Sequence, residues 1–171
     1  MATESPPPAT VVTPEALLEH WQGHRRLTRR VIDAFPDDQL FTFCVSPMRP
    51  FGMMALEFIG MAVPMVRTLA TGETGGSGGH HDPTWVQSFT DAASPKARVL
   101  MRWDEDTDEI NSLWRQIPHG RFQETITAYG QYTAVASTLL MYVIDNEIHH
   151  RGQGYVYLRL LGIETPLFYV R

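Results

Sequence analysis

Apolar and ring-bearing residues recur with a helical period in four stretches of this chain, and polar or glycine-rich segments separate them. Thr13-Pro14-Glu15 opens the first stretch with a hydroxyl cap, a proline at the first helical position and an acid in the first turn. Leu17, His20, Trp21, His24, Leu27, Thr28 and Val31 then mark an inward stripe, and Phe35-Pro36-Asp37-Asp38 ends it. A linker carrying Pro47 and Pro50 leads to a second helix from about Phe51 to Ala70, closed by Gly72 and expected to kink at Pro64. This helix reads as buried nearly all round. Its run Pro50–Val66 is shorter than the ~20 apolar residues of a bilayer span and is broken by Gly, Pro and Glu57.

Gly72 to Pro83 (GETGGSGGHHDP) reads as a mobile loop that leaves His80 and His81 in solvent. Ser94-Pro95 starts a third helix, with Ala97, Leu100, Trp103, Thr107, Ile110, Trp114 and Ile117 at 3–4 spacing. Phe122–Tyr129 reads as a short extended segment. From about Thr133 a long last helix carries Ala136, Leu140, Val143, Glu147, His150, Gly154, Tyr157 and Leu161 on one stripe, stopped by Gly162 and Pro166. The expected architecture is all-α, a four-helix bundle with long crossover links. Residues 1–12, with three consecutive prolines, read as a disordered arm; 13–166 form one domain and 167–171 a tail.

Composition narrows the chemistry. The chain has 171 residues, 43% of them apolar, which is enough for one domain with a proper core. Its net charge of −5 and lack of a basic run argue against nucleic acid as a partner. No membrane association is expected either. The N-terminus lacks the basic and apolar regions of a signal peptide, so a cytoplasmic location is expected. The single cysteine, Cys44, excludes intrachain disulfides and thiolate zinc sites, and its default reading is a buried inert thiol.

Three polar features sit on apolar helices. Glu57 is the only ionisable residue between Pro50 and Val66, so it must be protonated, paired with some arginine, bound to a cation or placed on a solvated strip. Asn146 and His150 stand four apart on one face, the spacing by which a helix offers two ligands to one metal. A core histidine without metal is the competing reading. His20 and His24 share that spacing on the first helix, whereas His149 points away from the Asn146/His150 face.

The segments IDNEIHHRGQGYVYLRLLGIETP (144–166), RPFGMMALEFIG (49–60) and HWQGHRRLTRRVIDAFP (20–36) resemble the DinB/YfiT-like family of small metalloproteins. That resemblance implies an up-down-down-up four-helix bundle, a homodimer and a divalent metal (Zn, Ni, Mn or Fe) held by one His of the second helix and two of the last. Those positions fall here on Glu57, Asn146 and His150. Only one is histidine, and the set becomes harder and oxygen-rich. His20, His24, His149 and Arg151 are supporting or alternative ligands. The activity implied is a metal-dependent transfer involving a low-molecular-weight thiol of the bacillithiol type and a small electrophile. The alternative is a non-catalytic, stress-associated dimeric or ligand-binding module with a metal-free site.

Overall fold

The computed structural model describes residues 11–76 and 78–171. Four long helices, α1 (Pro14–Ala34), α2 (Phe51–Thr71), α4 (Pro95–Trp114) and α5 (Ala136–Leu160), form the bundle, with a short α3 (Pro83–Thr90) between α2 and α4. The helix starts follow their caps: the side chains of Thr13, Asp82 and Ser94 each accept a first-turn amide, and each is followed by proline at the first helical position. Each long helix packs mainly on two others: α2 and α1 both lie against α4 and α5. The chain-consecutive α1 and α2 therefore sit on a diagonal, which the long links make possible. Gly154 lets α5 close on α2, since a Cβ there would lie 2.6 Å from the Phe51 ring.

Several expectations need correction. The last helix starts at Ala136, because Tyr132–Val135 forms β2, paired antiparallel with β1 (Thr125–Ala128) in the register Thr125↔Val135. The extended segment is thus one arm of a hairpin, and Phe122 belongs to a 3₁₀ turn before it. β-branched Thr133 and Val135 favour the ladder over the helix. The third helix expected from the pattern ends at Trp114, and α3 occupies a stretch where no element was expected. Cys44 is exposed, because the α1–α2 link runs over the surface. His20 is exposed, since Leu17, Trp21, His24, Thr28 and Val31 make the seam and His20 only flanks it. Of the arm expected at 1–12, residues 1–10 lie outside the described residues, and Val11 and Val12 are exposed.

α2 is 21 residues long and contains an 18-residue stretch of mean hydropathy 1.4, long and apolar enough by composition alone to cross a membrane. Of that stretch 72% is buried inside the bundle, so its apolar surface is already covered by protein.

Pro64 organises the middle of α2. Lacking an N–H, it leaves the carbonyl of Gly60, four residues earlier, without its helical donor. The amide of Gly78 supplies it, at 3.0 Å. The approach needs glycine on both sides: a Cβ on Gly78 would lie 2.1 Å from that carbonyl oxygen, and one on Gly60 2.4 Å from His80 Nδ1. The glycine-rich segment is therefore docked on α2 at this point, and His80 is half-buried rather than solvated.

Gly60→Ala is expected to undock this segment. Overpacking of ~1–3 kcal/mol outweighs a helix-propensity gain of ~1 kcal/mol. Hydrogen exchange at the Gly78 amide checks it: strong acceleration is expected while the α4 and α5 amides keep their protection, and unchanged Gly78 exchange contradicts the docking.

Candidate ligand-binding site at the α2–α5 seam

Close packing of α2 on α5 brings Glu57, Asn146 and His150 together. Asn146 Nδ2 donates to Glu57 Oε1 at 3.0 Å, and His150 Nε2 lies 3.7 Å from the same oxygen. Arg49, just before α2, completes the set. Its Nη2 donates to Glu57 Oε2 and lies 3.3 Å from His150 Nε2, while Tyr157 O–H fixes the Arg49 carbonyl at 3.1 Å. The other His150 nitrogen, Nδ1, lies 3.1 Å from Gln153 Oε1, and Gln153 Nε2 lies 3.2 Å from His149 Nε2. One assignment satisfies the whole chain: Gln153 donates to His149, His150 Nδ1–H donates to Gln153, and the two hydrogens of Arg49 Nη2 go to His150 Nε2 and Glu57.

Burial pushes the Glu57 carboxyl up. The Arg49 hydrogen bond and charge, Asn146 and His150 outweigh it and hold the group below its ordinary value, so Glu57 is a carboxylate at neutral pH. For His150, burial prevails over the raising effects of Gln153 and Glu57, and its pKa is lowered.

Glu57 also forms part of the wall of a cavity of about 350 Å³. Met61 and Leu139 give it an apolar floor; His80 and three tyrosines, Tyr129, Tyr132 and Tyr142, line it. Tyr129 has a left-handed backbone (φ 54°), and its hydroxyl donates to the Met61 carbonyl at 2.9 Å. A non-glycine residue held at positive φ carries strain that the surrounding contacts must hold in place.

His20, His24 and Arg151 belong to a different seam, between α1 and α5. Its centre is Glu147, buried at 2% exposure. Trp21 Nε1 donates to Glu147 Oε2 at 3.1 Å and Thr28 O–H to Oε1 at 2.6 Å, while Arg151 Nη1 lies 3.9 Å from Oε1. Arg151 also donates to Thr28 Oγ1, the His24 carbonyl and His24 Nδ1, the last at 2.9 Å. Arginine keeps its protons, so the single lone pair of neutral His24 is spent on Arg151 and its proton sits on Nε2, 3.1 Å from His20 Nε2. Arg171 Nη1 lies 3.3 Å from the same Nε2, so both ring nitrogens of His24 face an arginine.

Among the described residues, no three His, Cys, Asp or Glu side chains converge as a metal-binding group. Residues 9–171 match the profile of the DinB family. The chain belongs to the DinB family. Two solved DinB-like proteins share its fold. One, from Bacillus cereus ATCC 10987, has a TM-score of 0.70 at 19% identity, covering 94% of this chain and 100% of its own. The other, from Bacillus subtilis, has a TM-score of 0.67 at 17% identity, covering 91% and 98%. No curated protein matches the sequence.

At Glu57, Asn146 and His150, the positions to which the resemblance assigned a metal, the donors present do not suit a divalent ion. The guanidinium of Arg49 already lies between the Glu57 carboxylate and the His150 lone pair, and Asn146 turns its NH₂ group toward Glu57. The sequence reading left a pairing of Glu57 with some arginine open, and Arg49 is that partner. It missed the three cavity tyrosines, Gln153 and the Glu147 network. The Tyr129-Gly130 turn and the Gly60/Pro64 spacing were the available signals.

The His24 pKa is lowered to about 4 by burial, then by the charges of Arg151, Arg171 and His20. The unfolded chain thus binds a proton that the folded one refuses, so stability is full above pH 6.5 and falls as pH drops toward 4. The expected loss from this group is on the order of 2–3 kcal/mol. Asp106, pushed up to about 6 by burial, acts in the opposite sense over part of that window, so wild type must be compared with His24→Gln. Urea unfolding at pH 7, 5 and 4 is expected to show a shallower loss in the variant; parallel curves contradict the assignment.

Proposed function

We propose that this DinB protein is a metal-independent small-molecule-binding module whose ligand occupies the cavity beside Glu57. The observation that carries the reading is Arg49 Nη2, which engages both the Glu57 carboxylate and His150 Nε2. A divalent ion would need that carboxylate and that lone pair as ligands, and Arg49 already engages both. The guanidinium takes Glu57 Oε2 and the Asn146 amide takes Oε1, which leaves no pair of free donor atoms for coordination. The cavity supports the second half of the reading. Its volume of about 350 Å³ suits a small ligand, and its apolar lining with a few polar groups is typical of such sites.

Equilibrium dialysis against Zn(II), Ni(II) and Mn(II), followed by elemental analysis, tests the metal half. Wild type is expected to retain far less than one ion per chain. Arg49→Met frees Glu57 and His150 and is expected to bind metal about tenfold more tightly or better, with the gain lost when His150→Ala is added. One ion per chain in wild type, lost in His150→Ala, would overturn the proposal. It would restore the metal-dependent thiol S-transferase that the family resemblance implies.

A further inference from the structure

We propose that the cavity ligand is a small organic ammonium ion, with its charge held by Glu57 and the tyrosine rings and its apolar body lying on Met61 and Leu139. This rests on the reading of the cavity as the ligand site and names the ligand's chemical class.

The lining sets the sign of the charge. Glu57 is its one carboxylate, and among the described residues that line it there is no lysine or arginine. Arg49 binds Glu57 but is not itself in the wall. A carboxylate has about four lone-pair sites, and only two donors, Arg49 and Asn146, hydrogen-bond to this one. Capacity remains for a third donor or a cation. Two imidazoles also line the cavity: burial lowers the pKa of His80, so it adds no opposing charge at neutral pH, and His81 is an exposed side chain.

The rings set the kind of cation. Tyr129 and Tyr132 meet at 79° with centroids 6.4 Å apart, forming a corner. Tyr142, on α5, lines the same space. Tyr132 and Tyr142 remain 57% and 61% exposed, which leaves ring surface open at the mouth of a cavity with a carboxylate in its wall. Aromatic faces carry negative potential and attract ammonium groups, most strongly where water is partly excluded. They favour a diffuse, alkylated cation over a small metal ion, because it sheds water readily and contacts several rings at once. The strained Tyr129 backbone fits this role. Its hydroxyl is tied to the Met61 carbonyl, so its ring is held in place before any ligand arrives.

Isothermal titration with choline and with its uncharged isostere 3,3-dimethylbutan-1-ol tests the proposal. Choline is expected to bind about tenfold more tightly than the isostere, and Tyr132→Ala and Tyr142→Ala are each expected to weaken choline binding by about tenfold. Both rings are exposed, so these variants should fold; Glu57→Gln is the complementary test of charge. Equal or tighter binding of the isostere overturns recognition of an ammonium and leaves the cavity as a ligand site. Binding of neither compound at millimolar concentration, with tyrosine NMR resonances unmoved, overturns both.

Discussion

The proline in the middle of α2 is the constraint on which the site depends. Pro64 cannot donate to Gly60, and a carbonyl inside a buried helix must find another donor. It finds the Gly78 amide, and the next carbonyl, that of Met61, accepts from the Tyr129 hydroxyl. Two segments far apart in sequence, the glycine-rich loop and the β-hairpin, are thereby fixed to adjacent points on one helix. Their side chains, His80 from the loop and Tyr129 and Tyr132 around the hairpin turn, line the cavity beside Glu57. What would be a helix defect in isolation is used here as an attachment point.

The last helix serves two polar seams at once. Successive residues on a helix point about 100° apart, so Asn146 and His150 face α2 while Glu147 and Arg151 face α1. Each seam pairs one carboxylate with one arginine: Glu57 with Arg49, and Glu147 with Arg151. The Glu147–Arg151 pair is buried, and such a pair adds little net stability over apolar packing, but breaking it leaves a charge stranded. Arg49 of the other pair reaches solvent. A slide of α5 along its axis would break both sets together. The two networks therefore fix the register of α5, where a purely apolar helix surface would tolerate several registers.

How far the sequence disclosed this depended on whether the relevant interaction was local. Glu57 stood out because a carboxylate alone in an apolar run must be compensated, and Asn146 and His150 were placed on one face by spacing alone. Thr13, Ser94 and the prolines after them marked helix starts correctly because capping is short-range. Arg49 lies within a family-like segment but could not be assigned to Glu57, since its reach depends on how the α1–α2 link, held by the Tyr157 hydroxyl at the Arg49 carbonyl, enters α2. His80 was misread for a related reason. A glycine-rich composition suggests mobility, and only the fold shows that one of those glycines, Gly78, docks against Gly60 of α2. The Glu147 network was hidden because Glu147 stands among other polar residues (Asp145, Asn146, His149, His150 and Arg151), with its partners Trp21 and Thr28 more than a hundred residues away.

Under the proposed reading a guanidinium stands where a metal ion would, and that changes what such a site can do. A bound divalent ion offers positive charge and an exchangeable coordination position, and the second property lets it activate a thiol or water. Arg49 supplies charge with a fixed set of donors, directed at Glu57 and His150, and has no position that a ligand can enter. Under this reading, selection at the seam shifts from coordination to shape and electrostatics: the outward side of Glu57, the tyrosine rings and the apolar floor become the recognition elements. That is consistent with where the strain lies. The left-handed backbone is at Tyr129, a ring residue of the wall, and the Glu57, Asn146 and His150 positions lie within regular helix.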